Sequence, residues 1–193
     1  IFALLPLSAF AASGRLPAPA ATITNNTATG KIKLSWDEVK NAKYYSIYRA
    51  TSKDGTYSKI KTTKALTYTD TNTEIGHTYY YRVKANSSSD SSLNSTYKST
   101  LGRTCKCPRP TLSVSATNGN NRLTWDEVEG ASYYSIYRAT SKDGTYSKIK
   151  TTKVLKYIDT DAKVGQTYYY KIKANNENSS ANSAYSTIKS SKV

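Results

Sequence analysis

Few residues in this chain have a type and spacing suited to chemistry, and the tightest group is Cys105-Lys106-Cys107. Two thiols one residue apart suit a disulfide or half of a soft-metal site. On extended chain their Cα atoms stand about 6.6 Å apart, at the upper edge of the bridging range, so a disulfide there requires a local bend or strain. Zinc takes four ligands, and the missing two would have to come from a second copy meeting this one through the same segment. Free thiols or a strained disulfide therefore rank first, an intermolecular bridge second and a metal third. Asp37-Glu38 and Asp126-Glu127 are adjacent carboxylates, but neighbours on extended chain point to opposite faces and cannot flank one bond as paired acids do. Solvated strand ends are the better reading. His77 is the single imidazole, and position 166, one repeat later, is Gln. Asp70 and Asp159 each sit in Tyr-x-Asp-Thr, where a short carboxylate accepts turn hydrogen bonds. No catalytic residue, metal ligand or cofactor-binding residue is assigned, no cofactor is expected, and the chain does not read as an enzyme.

The elements that must position these residues are strands. The 193 residues include 18 Tyr against 2 Phe and 2 Trp, with no Met, a composition that favours pleated sheet over helix. The net charge of +15, from 28 Lys and Arg against 13 Asp and Glu, draws the chain toward polyanions. Residues 1–11 read as the remnant of a signal peptide: a short apolar run ends in Ala9-Phe10-Ala11, the small-x-small pattern cut after Ala11. The basic region that precedes such a run is missing, so the chain reads as a fragment of a longer exported protein, secreted or at the cell surface. No stretch approaches the roughly 18 apolar residues of a spanning helix, so no transmembrane segment is expected.

Residues Tyr44 to Lys64 recur letter for letter from Tyr133 to Lys153. The same offset carries Trp36 to Trp125 and Tyr79 to Tyr168. A period this long is one small domain, which gives residues 12–104 and 105–193 as two tandem modules with a stiff, proline-bearing linker around Arg103–Pro110. Within a copy the hydrophobic period is two. Ile32, Leu34 and Trp36 alternate with polar residues. Tyr44–Arg49 and Thr56–Lys61 form a hairpin whose turn has Gly55 available for positive φ. Tyr79, Tyr81, Val83 and Ala85 alternate with Tyr80, Arg82 and Lys84. Six or seven short strands per copy define an all-β sandwich.

The strand ending in Trp36, the Tyr45 and Ile47 strand, and Ile75-Gly76-His77-Thr78-Tyr79 followed by alternation resemble the fibronectin type III domain, and both copies do so. The resemblance implies two tandem immunoglobulin-like β-sandwiches joined by a short linker. It implies that Trp36 and Trp125 pack between the sheets, and that Tyr79 and Tyr168 make the tyrosine corner, each hydroxyl bonded back to backbone. The wording of the repeats is similar to tandem modules of secreted or surface proteins of Gram-positive, clostridial-type bacteria. The chain departs from the family in lacking a Pro before Gly76 and Gly165, and it has no Arg-Gly-Asp tripeptide.

If the third and sixth strands pair, one outer face gathers Tyr44, Tyr48, Tyr80, Arg82 and Lys84, and in the second copy Tyr133, Tyr137, Tyr169, Lys171 and Lys173. That face is a candidate for glycan rings or an anionic polymer, weighed against ordinary cross-strand pairing, which is the commoner use of such residues. The leading expectation is a non-catalytic extracellular spacer or presentation module. The first alternative is a module binding glycan or anionic wall polymer through this face. The second is an accessory part of a larger secreted enzyme whose catalytic domain lies elsewhere. Cell-wall polymer, polysaccharide or another surface protein are the expected partners, and no specific nucleic acid is expected.

Overall fold

A computed structural model describes residues 14–87 and 90–193; the expected signal remnant, 1–11, lies outside the described residues. Among the described residues fourteen strands run in two sets of seven. The first set is β1 (Ala21–Asn25), β2 (Ile32–Trp36), β3 (Tyr44–Ala50), β4 (Ser58–Thr63), β5 (Thr67–Asp70), β6 (Thr78–Asn86) and β7 (Leu101–Thr104). The second is β8 (Leu112–Thr117), β9 (Asn120–Trp125), β10 (Tyr133–Ala139), β11 (Ser147–Thr152), β12 (Lys156–Asp159), β13 (Thr167–Asn175) and β14 (Lys189–Lys192). Each set forms a three-stranded sheet, β1-β2-β5 or β12-β9-β8, and a four-stranded sheet, β4-β3-β6-β7 or β11-β10-β13-β14. These are two tandem β-sandwiches of antiparallel strands, as the period-two pattern predicts.

The alternation decides what is buried. In β2, Ile32, Leu34 and Trp36 turn inward while Lys33 stays in solvent. In β6, Tyr79, Tyr81, Val83 and Ala85 are buried between exposed or half-buried neighbours. The second core joins Leu123, Trp125, Tyr134, Ile136, Tyr170 and Ile172 with Cys107. With no Met and few Phe to fill space, tyrosine supplies the bulk: Tyr81 and Tyr170 are fully buried.

Two local expectations are revised, and one burial is new. The hairpin returns over Ser58–Thr63 rather than from Thr56, after a bulge between Ile47 and Tyr48 that recurs between Ile136 and Tyr137. Gly55 does not take positive φ; a Cβ there would instead strike the Ser52 hydroxyl, so glycine provides clearance. Ser46 and Ser135 lie on the outer-face register yet are buried, and Asn86 and Asn175 donate side-chain amides to their hydroxyls at 3.0 and 3.1 Å. Gly30 is the position where backbone freedom is needed, since its φ is 71° and a Cβ would collide with the carbonyl oxygen of Lys106.

The chain divides into two compact units. Among the described residues, one holds 14–22, Ser35–Tyr68, 80–87 and 90–101; the other holds Ile23–Leu34, Thr69–Tyr79 and Gly102–Val193.

Candidate functional site

The third and sixth strands of each set do pair, and their register arranges the face. In the first set Tyr48 lies opposite Arg82 on β6 and Lys59 on β4, Lys84 lies opposite Ser46, Tyr80 opposite Ala50, and Tyr44 opposite Asn86. In the second, Tyr137 lies opposite Lys171 and Lys148, Lys173 opposite Ser135, Tyr169 opposite Ala139, and Tyr133 opposite Asn175. All ten expected residues therefore share two sheet faces, five on each.

Three of the four candidate cations, Arg82, Lys171 and Lys173, lie against rings. The Arg82 guanidinium sits 3.8 Å from the centroid of the Tyr57 ring and 5.6 Å from that of Tyr97, and its Nε donates to the Thr100 hydroxyl at 3.0 Å. Tyr97 meets Tyr48 edge-on, with centroids 5.5 Å apart. In the second set Lys171 Nζ lies 4.1 Å from the Tyr146 ring and 4.5 Å from Tyr185, and Lys173 Nζ lies 5.4 Å from Tyr185. Tyr185 meets Tyr137 edge-on at 5.2 Å. Burial first, and then the neighbouring Tyr48 or Tyr137, holds the phenols of Tyr97 and Tyr185 above the usual tyrosine range.

Sequence reasoning missed Tyr57, Tyr146, Tyr97 and Tyr185. The first pair stands in the exact repeat just before the return strand, a signal that was present. The second pair falls where the repeat offset slips by one residue, after the sixth strand, in segments 94–100 and 182–188 that carry no alternation to read.

The other candidates for chemistry lie apart. Cys105 and Cys107 are free thiols and both are buried. The Thr73 hydroxyl donates to Cys105 Sγ at 3.4 Å. Burial pushes the Cys107 thiol up to about 11, which keeps it from forming the nucleophilic thiolate at neutral pH. Asp37, Glu38, Asp126 and Glu127 are exposed, as solvated strand ends should be. His77 Nδ1 stands 3.7 Å from the Glu74 carboxylate in an exposed loop. Asp70 accepts a turn hydrogen bond from the Asn72 N–H at 3.1 Å, as expected. Both carboxylates are fully buried, and Asp159 is more than a turn acceptor: both its oxygens lie 2.9 Å from an Arg138 nitrogen, and the Tyr170 hydroxyl donates to it at 2.7 Å while accepting from Asn121 at 2.9 Å. Burial raises the Tyr170 phenol well above its ordinary value. This network ties β9, β10, β12 and β13 together. Among the described residues no group of three or more His, Cys, Asp or Glu could hold a metal, and no helix is long and apolar enough to cross a membrane.

The corner geometry is present in both sets. Tyr79 accepts the Glu74 N–H and Tyr168 the Lys163 N–H, each at 3.2 Å. Trp36 and Trp125 are buried and tilt against Tyr45 and Tyr134 with centroids 5.6 and 5.5 Å apart. Those two tyrosines hold backbone as well, each accepting an N–H at 2.8 Å from Val39 or Val128.

Seven strands in a three-plus-four arrangement, an inter-sheet tryptophan and a tyrosine corner define tandem fibronectin type III sandwiches. Solved structures agree on the fold. The chicken interferon gamma receptor alpha chain superposes with a TM-score of 0.67 at 15% identity, covering 92% of this chain and 98% of its own. A two-domain fibronectin type III segment of chicken tenascin gives 0.51 at 15% identity, covering 92% and 99%. No family model matches the chain. Among curated proteins it is similar to an amylopullulanase of Thermoanaerobacter thermohydrosulfuricus, 40% identical over 81 residues, and to an amylopullulanase of Thermoanaerobacterium saccharolyticum, 34% identical over 79. Those matches cover 40% and 39% of this chain but only 6% of either relative.

Proposed function

We propose that this chain is a non-catalytic accessory segment of a longer exported bacterial protein, two modules that space or present other domains. The observation that carries this reading is the state of the candidate face: Arg82 lies against Tyr57 and Lys171 against Tyr146, so one face of each of those two rings is already taken and closed to a neutral glycan. The similarity to short portions of two amylopullulanases supports an accessory place within a large polysaccharide-acting enzyme over a free-standing spacer.

The test uses the purified chain with pullulan and starch. Neither should be hydrolysed, and neither should bind in about 0.5 M salt, where the Debye length falls below about 5 Å and only contact interactions survive. Release of reducing ends, or salt-resistant binding of a neutral glucan lost on Tyr48→Ala with Tyr137→Ala, would overturn the reading. Removal of the segment from its parent enzyme should leave turnover of a small soluble substrate unchanged.

A further inference from the structure

Charge is segregated within each sandwich. The strands of both four-stranded sheets, β4-β3-β6-β7 and β11-β10-β13-β14, carry Lys and Arg and not a single Asp or Glu. The exposed carboxylates sit in loops, as Asp37-Glu38 and Asp126-Glu127 do after β2 and β9. On the outer face of the second sheet the register sets Lys148, Tyr137 and Lys171 in one row across three strands, with the two ammonium stems roughly 10 Å apart at the spacing of two strands. Lys59, Tyr48 and Arg82 form the same row in the first. Tyr146 and Tyr185 support Lys171, and Tyr57 and Tyr97 support Arg82. A cation seated on a ring has already lost much of its side-chain freedom, so less remains to be lost when an anion binds.

Beside this row the same face has a shallow groove of about 390 Å3 lined by Tyr133, Thr151, Thr152 and Lys153, and its residue types recur as Tyr44, Thr62, Thr63 and Lys64. One ring, the Thr151 hydroxyl and an ammonium suit a sugar ring that bears a carboxylate, while the Thr152 hydroxyl accepts the Val154 N–H at 3.2 Å. Single-stranded nucleic acid would need successive open rings to stack on, and Tyr57, Tyr97, Tyr146 and Tyr185 each have a cation against the ring. A polymer without sugar rings would leave the groove unused.

We propose that the outer face of each four-stranded sheet binds a linear uronate polysaccharide, its carboxylates meeting the tyrosine-held cations and, on the second sheet, a sugar ring lying in the groove at Tyr133. This goes beyond the accessory reading and stands or falls separately, since a module pair that binds no polyanion still spaces domains.

The probe is polygalacturonate, titrated into the full chain at low and at high salt. Two variants of equal charge are compared. One changes Lys59, Lys84, Lys148 and Lys171 to Gln on the sheet faces; the other changes Lys33, Lys40, Lys156 and Lys163, all exposed and off these faces. The expected result is a loss of about tenfold or more for the face variant and less than about twofold for the control. Tyr97→Ala with Tyr185→Ala should weaken binding with no charge removed, and Tyr97→Phe with Tyr185→Phe should restore it, because the ring face is kept. Circular dichroism checks that each variant is folded. Equal losses in the two lysine variants, indifference to Tyr→Ala, or tighter binding of single-stranded DNA than of polygalacturonate at equal salt would overturn the proposal.

Discussion

Asp159 is sealed from solvent, so it depends on Arg138 and Tyr170 for its hydrogen bonds. Asp159→Ala strands a guanidinium and a phenol inside the second sandwich and is expected to cost about 3 kcal/mol or more, measured by chemical denaturation. The tyrosine corners are a smaller quantity. Tyr79→Phe and Tyr168→Phe keep the ring and lose one hydrogen bond each, about 1 kcal/mol apiece; an unchanged melting temperature for both would remove the corner's role. Cys107 makes stability depend on pH. Its folded-state value of about 11 lies above the ordinary thiol value of about 8.5, so the folded state holds the proton more tightly than the unfolded one. The thiol's contribution is complete below about pH 8.5 and is lost as pH rises toward 11. The melting temperature should therefore fall from pH 8 to 11, and fall less steeply in Cys107→Ala; identical slopes would contradict the burial argument.

At the scale of elements, the segment between the repeats behaves in two halves. The Cys105 N–H donates to the His77 carbonyl at 2.9 Å, its carbonyl accepts the Gly76 N–H at 3.0 Å, and the Lys106 N–H reaches the Gly30 carbonyl at 3.1 Å. Cys107 belongs to the second core. A fragment of residues 14–106 should therefore fold as a β domain, and one of residues 14–104 should be less stable by about 2 kcal/mol or more through loss of those three bonds. Equal thermal melts for the two fragments would show that the cysteine segment holds nothing. How much of this was legible follows from what period two can encode. Ile32, Leu34 and Trp36, or Tyr79 through Ala85, state their faces in the sequence because inward and outward residues differ in type. Ser46 does not, since its burial depends on the amide of Asn86, 40 residues away. Tyr97 and Tyr185 do not either: they come from irregular chain that folds over the sheet, and only the three-dimensional path brings them to Tyr48 and Tyr137. Tyr-Ile-Asp-Thr looks like a turn, and nothing in it announces the partner Arg138.

For the whole molecule, the decisive feature is that the β3–β4 and β10–β11 hairpins are the same 21-residue text, Tyr44–Lys64 and Tyr133–Lys153, while the strands they pair with, TYYYRVKAN and TYYYKIKAN, differ at two positions. Either hairpin can thus pair with either partner strand with almost equal side-chain complementarity, and that strand pairing hardly distinguishes native from exchanged arrangements. Chain connectivity is left to choose. From Ala50 the native partner strand starts at Thr78 and the foreign one at Thr167, and closing the longer loop costs only about 1.3 kcal/mol more by the logarithmic length law. Refolding of the intact pair from denaturant should therefore show a slow phase, absent when either module refolds alone, as exchanged hairpins unravel and re-register. During synthesis from the N-terminus the conflict does not arise, because β6 is made and paired before the second copy of the hairpin exists: the order of manufacture supplies a discrimination that the sequence withholds.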